Sequence, residues 1–206
     1  MKNTIVKDAG ILFIITLIAG IALGGVHAIT LEPIRQAKID AANKTYAAVM
    51  PEAVSFETTD ELNAAVEKAN ADADSWGIGK PGKLEINDAM AAYDASGNQV
   101  GYMVNVTSGE GYGGDVEISV GIDNDGKMTG LGFLTINETV GLGMRAKTPE
   151  FMDQFAGKDA TAPITGTKNG DADEHSFNAI SGASFTSGAV SKALNGAVKF
   201  YNEYLK

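Results

Sequence analysis

The chain contains no cysteine. That absence removes disulfides, thiol catalysis, iron–sulfur ligation and thiolate zinc sites in one step. It leaves the compartment open, because a cysteine-free chain suits either side of a bacterial membrane. Histidine is scarce too: His27 and His175 are the two present, too few and too far apart for a histidine metal centre. Positive charge is also in short supply. Sixteen Lys and Arg stand against 26 Asp and Glu, a net charge of −10. Nucleic acid is therefore excluded as a partner, since phosphate neutralisation needs a basic surface. The same balance argues against a domain lying flat on anionic lipid. No Gly-x-Gly-x-x-Gly follows a strand and opens a helix, so nothing here binds NAD. No residue reads as a general base, a nucleophile or a metal ligand. Any redox chemistry must come from an organic cofactor.

What is present begins with a long apolar run. Residues 11–26 carry no charge, and with their flanks they supply roughly the 20 residues that cross a bilayer core. A cleaved signal peptide shares the basic start and the apolar stretch. His27-Ala28-Ile29 is a poor small-x-small cleavage site, however, and the run is long for a signal core, so a retained anchor over 9–29 is expected. Lys2, Lys7 and the amino terminus lie on one side. Arg35 and Lys38, offset by Glu32 and Asp40, lie on the other. By the positive-inside rule, residues 1–8 are cytoplasmic and the main domain is extracytoplasmic. Gly20, Gly24 and Gly25 would admit a neighbouring helix or merely sit in a lone one.

Residues 34–50 carry Ala, Ile and Lys at helical spacing and Pro51 stops them, so 30–57 reads as a helical stalk or linker. Thr58, Thr59, Asp60 and Glu61 open a second helix through about residue 71. Residues 75–82 form a loop, with Trp76 packed beneath it. Then the period changes. Residues 84–87, 90–93, 100–107, 116–122 and 128–135 are short runs with partial alternation, several of them separated by turns: an antiparallel meander. Asp123-Asn124-Asp125-Gly126 is one such turn rather than a calcium loop, because the later ligands and closing Glu are missing. Thr148-Pro149-Glu150 opens a short helix to about Phe155, and 157–175 reads as a polar surface connection. From Thr186 to Leu205, Val190, Ala193, Leu194, Ala197, Val198 and Tyr201 form one stripe of an amphipathic terminal helix. The expected fold is α+β: one transmembrane helix plus a domain, 58–206, with an antiparallel sheet flanked by helices.

Three clusters remain once the core pattern is subtracted. Ser181-Gly182-Ala183-Ser184, followed by Thr186 and Ser187, crowds hydroxyls into the turn before the last helix. One hydroxyl suffices for an N-cap. The surplus, with small residues that expose backbone N–H groups, also suits a phosphate at the positive end of a helix. Residues alone favour the cap and leave the phosphate site open. Glu138-Thr139-Val140-Gly141-Leu142-Gly143 offers glycines around an apolar residue, where a backbone could approach a flat ring or simply turn. Glu110-Gly111-Tyr112-Gly113-Gly114 places an aromatic ring in a strand connection, to stack or to pack.

In this order, and after a membrane helix, the three clusters resemble the FMN-binding domain found in the G subunit of Rnf-type ion-translocating ferredoxin:NAD oxidoreductases, related to the C subunit of the sodium-pumping quinone reductase. The resemblance covers nearly the whole chain. It implies an electron-transfer subunit of a multisubunit membrane complex with no autonomous catalytic site. FMN would be esterified through its phosphate to Ser184, with Thr186 as the alternative acceptor, by a separate flavin transferase. Ser181, Gly182 and Ala183 complete the attachment motif. Thr139, Gly141, Leu142 and Gly143 are expected at the ring, with Tyr112 or Glu110 nearby. Three positions depart from the family pattern: Val140 replaces a proline, Ser184 a threonine, and Asn178 an acidic residue. The implied location is the bacterial inner membrane, single-pass. The competing reading is a membrane-anchored binding or assembly module without a cofactor.

Overall fold

A computed structural model describes residues 2–168 and 170–206, with side chains from Ile5 onward. Met1 and the side chain of Lys2, on which the charge-based orientation partly leans, lie outside the described residues. The chain divides into two compact units, Met1–Ala42 and Asn43–Lys206.

The first unit is one helix. α1 runs Lys2–Val49 without a break and continues into the second unit. Pro33 lies inside it, so one backbone hydrogen bond is missing there while the helix persists. Thr16 and Thr30 return their hydroxyls to carbonyls one turn back, which keeps their polar atoms satisfied along an apolar cylinder. Within this helix is a stretch long and apolar enough to cross a membrane, and none of it is buried by the chain itself. An exposed apolar surface of that extent needs a bilayer or a partner to cover it.

In the second unit, β1 (Ser55–Glu57), β2 (Leu84–Tyr93), β3 (Gln99–Ser108), β4 (Val116–Asp123) and β5 (Met128–Thr135) form a sheet in sequential order, antiparallel throughout. The meander is as expected, with one difference. Residues 84–87 and 90–93 are one strand, not two. A register shift between Ile86 and Asp88 interrupts the alternation, so a single bulged strand imitates a pair in sequence. β1 is too short to announce itself by periodicity.

One face of the sheet carries the main core. Ile86, Val104, Val106, Ile118 and Val120 lie there against α4 (Ser184–Phe200), together with α2 (Asp60–Asp72). All six residues of the expected stripe on the terminal helix are buried. The regular helix stops at Phe200 and finishes in a wider turn, Tyr201–Leu205. α2 starts on an N-cap, Thr59, whose side chain accepts from Leu62 N at 3.2 Å. α3 (Pro149–Met152) is followed by a tighter turn, and Phe151 packs edge to face on both Phe155 and Phe177, which tilt against each other.

The other face of the sheet is covered by the last turns of α1. Val49 and Met50 are buried there, and a Cβ on Gly132 would run into Thr45 and Val49. The helix therefore rests on bare strand backbone. The stalk expected over 30–57 is thus divided, with 43–57 belonging to the compact domain. The connection 157–175 is also less superficial than expected. Ala160 and Ile164 are fully buried, and 165–167 pairs in parallel with 176–178 as β6 (Thr165–Thr167) and β7 (Ser176–Asn178). Three-residue strands leave no periodic trace in a glycine-rich stretch.

Candidate functional site

Strand direction explains why distant motifs meet. Ser108 at the end of β3 pairs with Val116 at the start of β4, and Glu117 beside it pairs with Thr135 at the end of β5. The connection after β3 and the loop after β5 therefore leave the same end of the sheet. Both glycine clusters sit on those two segments. The start of α4 comes to the same place, because the helix lies across β2, β3 and β4.

Together they enclose a cleft of about 270 Å³. Tyr112 comes from the first segment, Thr139, Leu142 and Gly143 from the second, and Ser184 and Phe185 from the helix start. Gly143 marks the tighter approach of the two glycines that line the cleft. A Cβ there would collide with Thr186 Oγ1 and lie 2.7 Å from Glu138 Cβ. Gly182 has φ +81°, the left-handed geometry that lets the chain turn sharply into α4 without Cβ strain.

The four hydroxyls around the turn have separate fates. Ser187 is buried and its Oγ accepts from Ile180 N at 2.9 Å, fastening the turn to the preceding chain. Thr186 is 1% exposed and points at Gly143. Ser181 and Ser184 are exposed. The N-cap position itself is Ala183, which has no side chain able to cap, and Ser184 is the first helical residue. The abundance of hydroxyls thus is not spent on capping at the N-cap position. The amides of the first turn have no intrahelical acceptor and carry the positive end of the helix.

Ser184 and Gly182 also border a second depression of about 450 Å³, lined as well by Ser181, Ser187, Ser191 and Lys168. The two depressions differ in chemistry. The smaller is walled by Tyr112, Leu142 and Phe185, which suit a flat aromatic ring; the larger is lined with hydroxyls and a lysine, which suit an anionic or polyol group. Ser184 and Gly182 belong to the linings of both.

Of the residues singled out in the sequence, Tyr112, Thr139, Leu142, Gly143, Gly182, Ala183, Ser184 and Thr186 line the cleft together. Ser181 lines the neighbouring depression. Gly141 stands outside both linings, in a turn with φ +79°. Glu110 is directed elsewhere: its Oε2 pairs with Lys192 Nζ at 2.6 Å and its Oε1 accepts from Lys80 N at 2.6 Å. The Lys192 hydrogen bond, with the Lys80 amide, holds that carboxyl below its usual range. Two cleft residues escaped the sequence reading. Phe185 is 69% exposed, its ring 6.1 Å from that of Tyr112. Glu138, noted in its motif but not as a contact, lines the cleft and accepts from Tyr112 N at 2.8 Å. An aromatic side chain beside exposed hydroxyls was the available signal for Phe185; nothing local marked Glu138.

Residues 111–199 match the family model of the FMN-binding domain, a span that takes in all three motifs apart from Glu110. Over 202 residues the chain is 32% identical to the G subunit of the Na(+)-translocating ferredoxin:NAD(+) oxidoreductase complex of Acetobacterium woodii, covering 95% of this chain and 91% of that one. It is 29% identical over 200 residues to the G subunit of the proton-translocating ferredoxin:NAD(+) oxidoreductase complex of Clostridium ljungdahlii, covering 94% and 93%. The crystal structure of Shewanella oneidensis NqrC superposes with a TM-score of 0.51 at 18% identity, over 76% of this chain and 73% of that one, which establishes the shared fold.

Proposed function

Since the chain belongs to the family of G subunits of ion-translocating ferredoxin:NAD(+) oxidoreductase complexes, we propose that it carries its FMN as a phosphoester on Ser184. The protein is a membrane-anchored, FMN-binding electron-transfer subunit of such a complex, and its partners are the other subunits. The single observation that carries the attachment reading is the contrast between two hydroxyls. Ser184 is open at the meeting point of the two depressions, whereas Thr186 is 1% exposed and faces Gly143. A hydroxyl sealed in that way offers no approach to a phosphate.

FMN supplies the electron transfer; this chain supplies position. The first-turn amides of α4 and the Ser184 oxygen would hold the phosphate, and Ser181 and Lys168 would line the space around it. Tyr112, Leu142 and Phe185 would flank the ring, with Thr139 at its edge. A separate flavin transferase makes the ester. The segment 9–29 crosses the membrane, residues 1–8 stay in the cytoplasm, and the domain from Asn43 onward is extracytoplasmic. Attachment by a covalent bond suits that side, where no cytoplasmic pool replaces lost FMN.

The test is direct. The chain is produced in membranes of a host that has the transferase, denatured, and run on a gel. A fluorescent band is expected for the wild type and for Thr186→Ala, and a dark one for Ser184→Ala. A dark wild-type band overturns the ester, and a dark Thr186→Ala band beside a fluorescent Ser184→Ala band moves it.

A further inference from the structure

The loops around the cleft are joined by one carboxylate. Glu138 Oε1 accepts from Tyr112 N at 2.8 Å, drawing the segment after β3 onto the loop after β5. A Cβ on Gly111 would lie 2.9 Å from Oε1, and one on Gly143 would lie 2.9 Å from Oε2. Glycines in two separate motifs therefore leave room for the same carboxylate. That gives a steric reason for the two motifs to occur together. Glu138 is half-buried. It is the only charged side chain among the described residues that line the cleft, and it has no ion-pair partner among them.

We infer that Glu138 is a positioning residue for the flavin, one that latches the two loops and sets the ring's reduction potential by a fixed negative charge. The inference rests on the reading that FMN occupies this cleft. Adding an electron to a ring beside an unpaired carboxylate is opposed by Coulomb repulsion, and partial burial weakens the screening that water would provide. The ring is then harder to reduce than it would be in a neutral cleft. Latch and charge are separable. Glutamine keeps an oxygen for the Tyr112 N–H and loses the charge. Aspartate keeps the charge but is one methylene shorter, so the hydrogen bond is lost.

The experiment compares the full-length wild type, Glu138→Gln and Glu138→Asp in detergent, each produced with the transferase. Band fluorescence after denaturation reports attachment. Dithionite titration with mediator dyes reports the midpoint potential, and chymotryptic cleavage at Tyr112 reports the latch. Glu138→Gln is expected to stay labelled and resist cleavage like the wild type, with its potential shifted upward. Glu138→Asp is expected to keep a potential near the wild type and to be cut faster. A labelled Glu138→Gln with unchanged potential overturns the inference while leaving the FMN site intact. So does a Glu138→Asp that shifts as far as Glu138→Gln. An unlabelled wild type overturns the ester reading instead, and this inference with it.

Discussion

Tyr46 Oη accepts a hydrogen bond from Asn105 Nδ2 at 2.6 Å, joining the last turns of α1 to the middle strand of the sheet. Asn105 is fully buried and has every polar atom engaged: Nδ2 also donates to Asp88 at 2.8 Å, and Oδ1 accepts from Ser119. Such a network is stabilising only while complete, because each orphaned buried group costs its desolvation. Asn105→Leu strands a phenol, a carboxylate and a hydroxyl at once. The expected loss is about 2–3 kcal/mol, against about 1 kcal/mol for Tyr46→Phe, which strands one amide hydrogen. Denaturant unfolding of the detergent-solubilised protein reads both. Equal losses would mean that Tyr46 alone carries the contact.

The same network makes stability depend on pH. Burial raises the Asp88 carboxyl above its usual range, the Asn105 hydrogen bond opposes that, and Glu117 adds to it. Tyr46 is pushed up to about 12, chiefly by burial and then by Asp88. An acid whose folded pKa is raised binds more protons folded than unfolded, so its contribution to stability falls as pH rises. The effect begins near the unfolded aspartate value of about 4 and is complete above the raised value. Asp88→Asn keeps an oxygen for Asn105 and removes the titration. The variant should therefore gain on the wild type steadily as pH rises from 4 into the neutral range. A difference that stays flat across that range would show that Asp88 does not titrate differently in the fold.

Much of this fold is legible in the sequence for a physical reason. Strands that bury one face alternate, and α4 carries a stripe, so the meander and the terminal helix leave periodic marks. Features set by one residue or by distant pairing leave none. The bulge at Asn87 breaks the alternation of β2 and reads as a gap. β6 and β7 are each too short to show a period. At the site, the small residues of the three motifs are visible because glycine is required by close approach at Gly143. Glu138 is not, since its role is to meet Tyr112, a contact made across 26 positions. The choice between Ser184 and Thr186 is likewise invisible in sequence, where both are hydroxyls two positions apart. Only burial separates them.

Gly143→Ala tests whether the cleft tolerates any filling. The added methyl meets Thr186 Oγ1 and stands 2.7 Å from Glu138 Cβ, an atom with little freedom to retreat. Overpacking of this kind costs about 1–3 kcal/mol. Both a lower melting temperature and a lower flavin content per polypeptide are expected. A variant with unchanged melting and full flavin content would show that the loop after β5 shifts without penalty and that its geometry is not required.

The aromatic pair at the mouth of the cleft should behave in the opposite way. Tyr112 and Phe185 are 73% and 69% exposed, with ring centroids 6.1 Å apart. Side chains so open contribute little to folding, and truncating either should alter stability by no more than about 0.5 kcal/mol. On the proposed placement of FMN, their apolar faces would instead cover the ring together with Leu142. Tyr112→Ala and Phe185→Ala are therefore expected to melt like the wild type and to keep their FMN. The difference should appear in solvent access: iodide should quench the flavin fluorescence of both variants more strongly than that of the wild type. Unchanged quenching in both would place the ring away from this pair, while quenching raised only in Phe185→Ala would put the ring on the helix side of the cleft.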